Sequence, residues 1–113
     1  SVHWDERQQQ QAVLKKLGWS IIFNAQASTR DRAVIEIHDA SQNSKEVDHL
    51  RLTLFHYTRV ADQTTIQASW NNGRYEADVD LSQAGLWHID FEGTTKDGTP
   101  FWTEQTVDWT PRS

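Results

Sequence analysis

The 113-residue sequence contains neither cysteine nor methionine. Without thiols there is no disulfide framework, no thiol nucleophile and no thiolate metal site. Without thioether sulfur as well, the soft ligands preferred by Cu(I) are missing. Long apolar runs are also lacking. The longest, such as Trp19-Ser20-Ile21-Ile22-Phe23, falls far short of the ~20 residues a membrane-spanning helix needs. Positive charge is in the minority, with 11 Lys and Arg against 16 Asp and Glu and a net charge of −5. A field of that sign repels nucleic acid and anionic lipid, so a nucleic-acid partner is not expected. No glycine-rich phosphate loop, Gly-x-Ser-x-Gly or His-Glu-x-x-His occurs, and nothing proposes a nucleophile. We expect no enzyme.

What remains is a chain of one domain's length, which hides roughly 65% of the surface its unfolded form exposes. Its first segment, Trp4 to Leu17, is free of Gly and Pro and rich in good helix formers. Asp5 and Glu6 stand in the first turn, Lys15 and Lys16 in the last, and Gly18 follows. That is the charge order the helix dipole favours and the residue that most readily ends a helix. Apolar residues are sparse and gathered towards Leu14–Trp19, so this helix is expected to be anchored at its C-terminal end and loosely held before it. Residues 1–18 are read as a stalk helix and 19–113 as one folded domain.

From Trp19 onwards the hydrophobic period changes to two. Strands are expected around Trp19–Ala25, Ala33–Ile37, Leu50–Arg59, Thr64–Trp70, Tyr75–Leu81, Trp87–Phe91 and Phe101–Trp109. Asn71-Asn72-Gly73 and Lys96-Asp97-Gly98 supply hairpin turns. About seven short strands without helical interludes describe an all-β, immunoglobulin-like antiparallel β-sandwich preceded by one α-helix.

Five histidines, His3, His38, His49, His56 and His88, raise the question of a metal site for a borderline ion such as Cu(II) or Zn(II). By strand parity His38 and His88 should be solvated. His56 shares its face with three leucines, which suits a hydrogen-bonded structural histidine better than a ligand. Asp78, Asp80, Asp90 and Glu92 read as solvated outer-face charges. Among the six tryptophans, Trp19 and Trp87 suit the core. Trp4 is placed to meet a membrane interface, Trp70 and Trp102 are the pair that could stack on a sugar, and Trp102 falls on the polar side of the last strand as a partly exposed contact residue.

The ordered set Trp4-Asp5-Glu6, a Gln-rich helix, Leu17-Gly18-Trp19, Phe55-His56-Tyr57-Thr58-Arg59-Val60-Ala61-Asp62, Gly73-Arg74-Tyr75 and Gly85-Leu86-Trp87 resembles the periplasmic domain of the FixH family over nearly the whole chain. The resemblance implies a sandwich domain on the periplasmic side of the bacterial inner membrane, held there by a single N-terminal transmembrane helix. It further implies a role in making the cbb-type cytochrome oxidase, alongside a copper-transporting P-type ATPase. It marks His56, Thr58, Arg59, Asp62, Gly73, Tyr75, Gly85 and Trp87; Tyr57 stands where the pattern leads us to expect a proline.

Three functions are therefore carried forward. The first is a non-catalytic accessory domain, without a resident cofactor, that contacts the ATPase or oxidase assembly components through His56, Thr58, Arg59, Asp62 and Trp102. The second is a Cu(II)- or Zn(II)-binding protein using His56 with Asp62 or another histidine. The third is a carbohydrate-binding sandwich using Trp70 and Trp102. Because the chain opens Ser1-Val2-His3 without an initiator methionine, an upstream anchor or signal is expected.

Overall fold

The computed structural model describes residues 4–112. His3 lies outside the described residues. The chain forms α1 (Trp4–Leu17), β1 (Ser20–Phe23), β2 (Arg32–His38), β3 (His49–His56), β4 (Thr64–Gln67), β5 (Ser69–Asn71), β6 (Arg74–Asp78), β7 (Gly85–Thr94) and β8 (Pro100–Trp109). Two four-stranded antiparallel sheets, in the orders β1-β2-β6-β5 and β4-β3-β7-β8, face each other. The antiparallel sandwich with one preceding helix is thus the observed architecture.

Eight strands stand where about seven were expected, because Thr64–Trp70 is not one strand. Thr64–Gln67 pairs with β3 and Ser69–Asn71 pairs with β6, so the chain crosses from one sheet to the other at Ala68. The Ala68 amide donates to the Leu50 carbonyl at 2.8 Å, which holds that corner.

Alternation along the strands sends Ile35, Ile37, Leu50, Leu52, Leu54, Ile89, Phe91 and Phe101 into the space between the sheets, where all are essentially inaccessible. Trp109 joins them, edge-on to Phe23 at 5.7 Å, with its indole N–H donating to the Leu81 carbonyl at 2.7 Å. Trp19 and Trp87, expected in the core, are only half-buried and pack against its margin. Tyr75 crosses to the loop before β3, where its hydroxyl accepts the Val47 N–H at 2.7 Å and donates to the Val47 carbonyl at 3.2 Å. Burial pushes the Tyr75 hydroxyl above its ordinary pKa.

Gly18 ends α1 in the left-handed region at φ 71°. Its amide donates to the Lys15 carbonyl at 3.2 Å and the Trp19 amide to the Leu14 carbonyl at 3.0 Å, the paired bonds of a Schellman cap. The helix does not stand free of the sandwich; it packs on β8. Leu14 reaches the core. Nearer the N-terminus, Arg7 places its guanidinium 4.9 Å from the Trp102 ring centroid and 3.4 Å from Glu92. The expectation of a loosely held first half fails because charge and cation–π contact supply there what apolar residues do not.

Candidate functional site

The outer face of the β4-β3-β7-β8 sheet carries the chemistry, and strand register sets it out in rows. Arg51, Glu92 and Trp102 form the first row, Thr53, Asp90 and Glu104 the second, and Phe55, His88 and Thr106 the third. Beyond them, β3 and β7 end in the segments that carry Tyr57 and Leu86.

The helix occupies the first row. Arg51 donates to Glu92 at 2.7 Å while Arg7 reaches the other carboxylate oxygen. Partial burial raises the Glu92 pKa, but the hydrogen bond and charge of Arg51, with Arg7, outweigh it and hold the carboxyl below its ordinary range. Glu92 is therefore a paired anchor and not the solvated charge expected from parity. Trp102 is only 7% exposed. It was expected to be a partly exposed contact residue on the polar side of β8; it does lie on that side, but α1 covers it.

Trp70 lies on the other sheet, half-buried and packed 5.1 Å from Tyr75. A sugar platform made of Trp70 and Trp102 is excluded, since one ring is under the helix and the two are on different sheets.

In the third row the His88 ring stacks on Phe55, with centroids 4.9 Å apart and planes 23° from parallel. Tyr57 closes the row edge-on and bonds Thr106 through its hydroxyl at 3.0 Å. His88 and His38, expected to be solvated, are both largely covered. The outer face at the β3 end thus carries its own aromatic cluster. Next to it Tyr57 and Leu86 are exposed, as is Val60 in the turn that follows, and the Tyr57 amide donates to the Leu86 carbonyl at 3.0 Å. A proline at position 57 would lack that N–H, so Tyr57 extends the backbone pairing one step past β3.

His56 points the opposite way, inward, and is 7% exposed. Its Nε2 lies 2.8 Å from the Ala84 carbonyl, while Nδ1 lies 3.1 Å from the Thr58 amide and 2.7 Å from the Thr58 hydroxyl. These partners fit a neutral ring with the proton on Nε2, donating to Ala84 and accepting from Thr58. Both nitrogens are thus engaged, and Trp87 packs edge-on at 5.4 Å. Thr58 sits in the turn after β3, fixed by His56. Arg59 and Asp62 follow, both exposed and paired at 3.3 Å. Asp80 lies within the field of Arg59; hydrogen bonds from the Ser82 hydroxyl and amide hold its carboxyl below the ordinary range, and Arg59 and Arg30 add to this.

The four polar residues marked in the sequence are therefore one local assembly with two parts. His56 and Thr58 set the turn from inside; Arg59 and Asp62 are presented outside, on either side of exposed Val60. The His56 nitrogens bond Ala84 and Thr58, while Asp62 pairs with Arg59.

The family model of FixH matches residues 1–108. The chain belongs to the FixH family. Comparison with curated proteins and with solved structures finds no match. In this FixH domain the remaining motif residues have structural tasks. Gly73 takes φ 92° in the β5–β6 hairpin, after Asn72 at φ 51°. Trp87 donates its indole N–H to the Gln83 carbonyl at 2.9 Å, closing the turn before β7.

Sequence reasoning missed Arg7, Arg51, Val60, Leu86 and Glu104, and it set aside His88 and Asp90. A signal for the carboxylate pair exists. Asp90 and Glu104 are equally distant from Asp97, the centre of the β7–β8 hairpin, so the register opposes them directly.

Proposed function

We propose that this FixH domain is a non-catalytic contact module on the periplasmic side of the bacterial inner membrane. In this reading it belongs to a protein anchored by a single transmembrane helix, and it acts in assembly of the cbb-type cytochrome oxidase together with a copper-transporting P-type ATPase. No helix among the described residues is long and apolar enough to cross a membrane, so the anchor would lie outside them. Helix α1, clamped onto β8, would set the sandwich at a fixed orientation to that anchor, with exposed Trp4 at the membrane end.

The observation that carries the proposal is the concentration of exposed apolar side chains beside an exposed ion pair at one end of one sheet. Among the described residues, Tyr57, Val60 and Leu86 are three of the six large hydrophobics that remain exposed; Tyr57 is backbone-paired with Leu86, and Val60 stands between Arg59 and Asp62 on the turn that follows buried His56. Pre-organised apolar surface with a charged rim is the make-up of a protein contact. A rigid scaffold presenting a loop is also how binding residues are commonly displayed.

Purification of the membrane-anchored protein from its own cells tests this. Wild type should bring down ATPase or oxidase-assembly subunits, and Val60→Asp with Leu86→Asp should lose them while remaining folded. Recovery of neither class of subunit by wild type would overturn the reading. The Cu(II)/Zn(II) reading through His56 has less support, because a metal there would have to displace both the Ala84 and the Thr58 hydrogen bonds.

A further inference from the structure

The geometry points to a binding site for one divalent transition-metal cation on the outer face of the sheet, formed by His88 and Asp90 of β7 with Glu104 of β8. His88 Nε2 lies 3.2 Å from Asp90 Oδ1 and 3.5 Å from Glu104 Oε2. One ligand atom from each of the three residues falls within 4.8 Å of the others. Nitrogen and oxygen ligands each ~2.1 Å from a shared ion in tetrahedral array stand about 3.4 Å apart. The two separations from His88 bracket that value and the third, between the carboxylates, is within 4.8 Å, so a metal that replaces the single His88–Asp90 hydrogen bond would need only a small closure of the ligands.

Asp90 and Glu104 are direct cross-strand partners, and like charges placed opposite each other destabilise a sheet. A lysine or arginine would normally neutralise such a pair. Among the described residues no lysine or arginine pairs with either carboxylate; His88 is their only ion-pair partner. In the adjacent row Glu92 receives both Arg51 and Arg7. The middle row thus carries an excess of negative charge that a cation would balance.

The surroundings suit a ligand set. The His88 side chain is 17% exposed, Asp90 26% and Glu104 49%, which leaves the Glu104 side open to solvent for entry and for a bound water. Stacking on Phe55 and the edge of Tyr57 fix the imidazole plane, so little rotamer freedom remains to be lost on binding. One imidazole and two carboxylates favour borderline ions such as Zn(II) and Cu(II) over hard Mg(II) or Ca(II), which need more oxygen ligands. Cu(I) is not served by this set. The site is separate from His56, whose ring faces the other side of the sheet; it adjoins the proposed contact surface at Tyr57, but none of its three ligands belongs to that surface.

Titration of the purified domain with Zn(II) alone, by calorimetry and by thermal melting in chelator-free buffer at pH 7, tests the site. The expected result is one equivalent bound with roughly micromolar affinity and a melting temperature that rises with Zn(II). His88→Ala should weaken binding at least ~10-fold, whereas His49→Ala, on an exposed histidine at the start of β3, should leave it unchanged. The double variant Asp90→Asn with Glu104→Gln relieves the like-charge opposition, so it should fold and melt no lower than wild type without zinc, yet show no zinc-dependent rise. Absence of a single site in wild type would overturn the assignment. So would undiminished binding in the double variant, or equal competition by Mg(II).

Discussion

A Cβ on Gly85 would lie 2.7 Å from His56 Nε2. Gly85 also takes φ 122°, a conformation side chains rarely adopt. The same backbone segment supplies the Ala84 carbonyl that His56 bonds, so the missing side chain at position 85 is what lets the histidine close against that turn. Gly85→Ala should destabilise the domain by about 2–4 kcal/mol through backbone strain and overpacking. Gly98→Ala, at positive φ but with open space where its Cβ would go, should cost only about 1 kcal/mol. Urea denaturation of the two variants measures the difference, and equal costs would mean that the His56 contact has no weight.

Helix docking rests on Trp102. Its ring is buried between β8 and α1, with Arg7 above it. Trp102→Ala should cost about 3 kcal/mol or more and should release Trp4–Leu17 to protease and to amide exchange while strand protection persists at native conditions. Arg7→Ala should raise exchange in the first half of the helix only, because Leu14 and the Schellman cap still hold the second half.

Glu92 makes that docking pH-dependent. Its carboxyl titrates below the ordinary 4.5 in the folded state because Arg51 and Arg7 outweigh the effect of burial. A folded-state pKa below the unfolded one contributes stability above the unfolded value and loses it as the pH falls through the folded value. Glu92→Gln should therefore be less stable than wild type at pH 7, and the gap should close as the pH is lowered below 4.5. Denaturation midpoints measured from pH 7 to strongly acidic buffer give the result; a constant gap would show that the ion pairs are not its source.

Most of the fold was legible because alternation and turn chemistry are local. Asn72-Gly73 and Gly98 bend the chain where the sequence places hairpins, and Gly18 stops the helix as expected. The strand split at Ala68 was not legible, because nothing in Thr64–Trp70 indicates that the partner changes from β3 to β6. Parity correctly put Trp102, His88 and Glu92 on the outer face but could not say what covers that face. A helix over Trp102 and stacked rings beside His88 come from tertiary packing, which strand periodicity does not encode. The turn after β3 was found as a set of residues, yet its division into an inward histidine and an outward ion pair needed the direction of each side chain.

The exposed pair Arg59 and Asp62 should contribute little to folding. Both side chains are more than half exposed at a separation of 3.3 Å, so Arg59→Ala or Asp62→Asn should shift stability by less than ~1 kcal/mol. If these residues serve recognition, the same substitutions should weaken partner recovery from membranes by severalfold without lowering the melting temperature. A loss of fold matching the loss of recovery would return them to a structural role.

Site-specific photo-crosslinking in membranes tests the contact surface most directly. A photoreactive residue at Leu86 lies on the proposed face, and one at Ile22, equally exposed on the opposite sheet, serves as the reference. The expected result is adducts with a P-type ATPase or an oxidase-assembly subunit from position 86 and none from position 22. Equal labelling from both positions, or no adduct from position 86, would contradict the proposal that this end of the sheet is where the domain meets its partner.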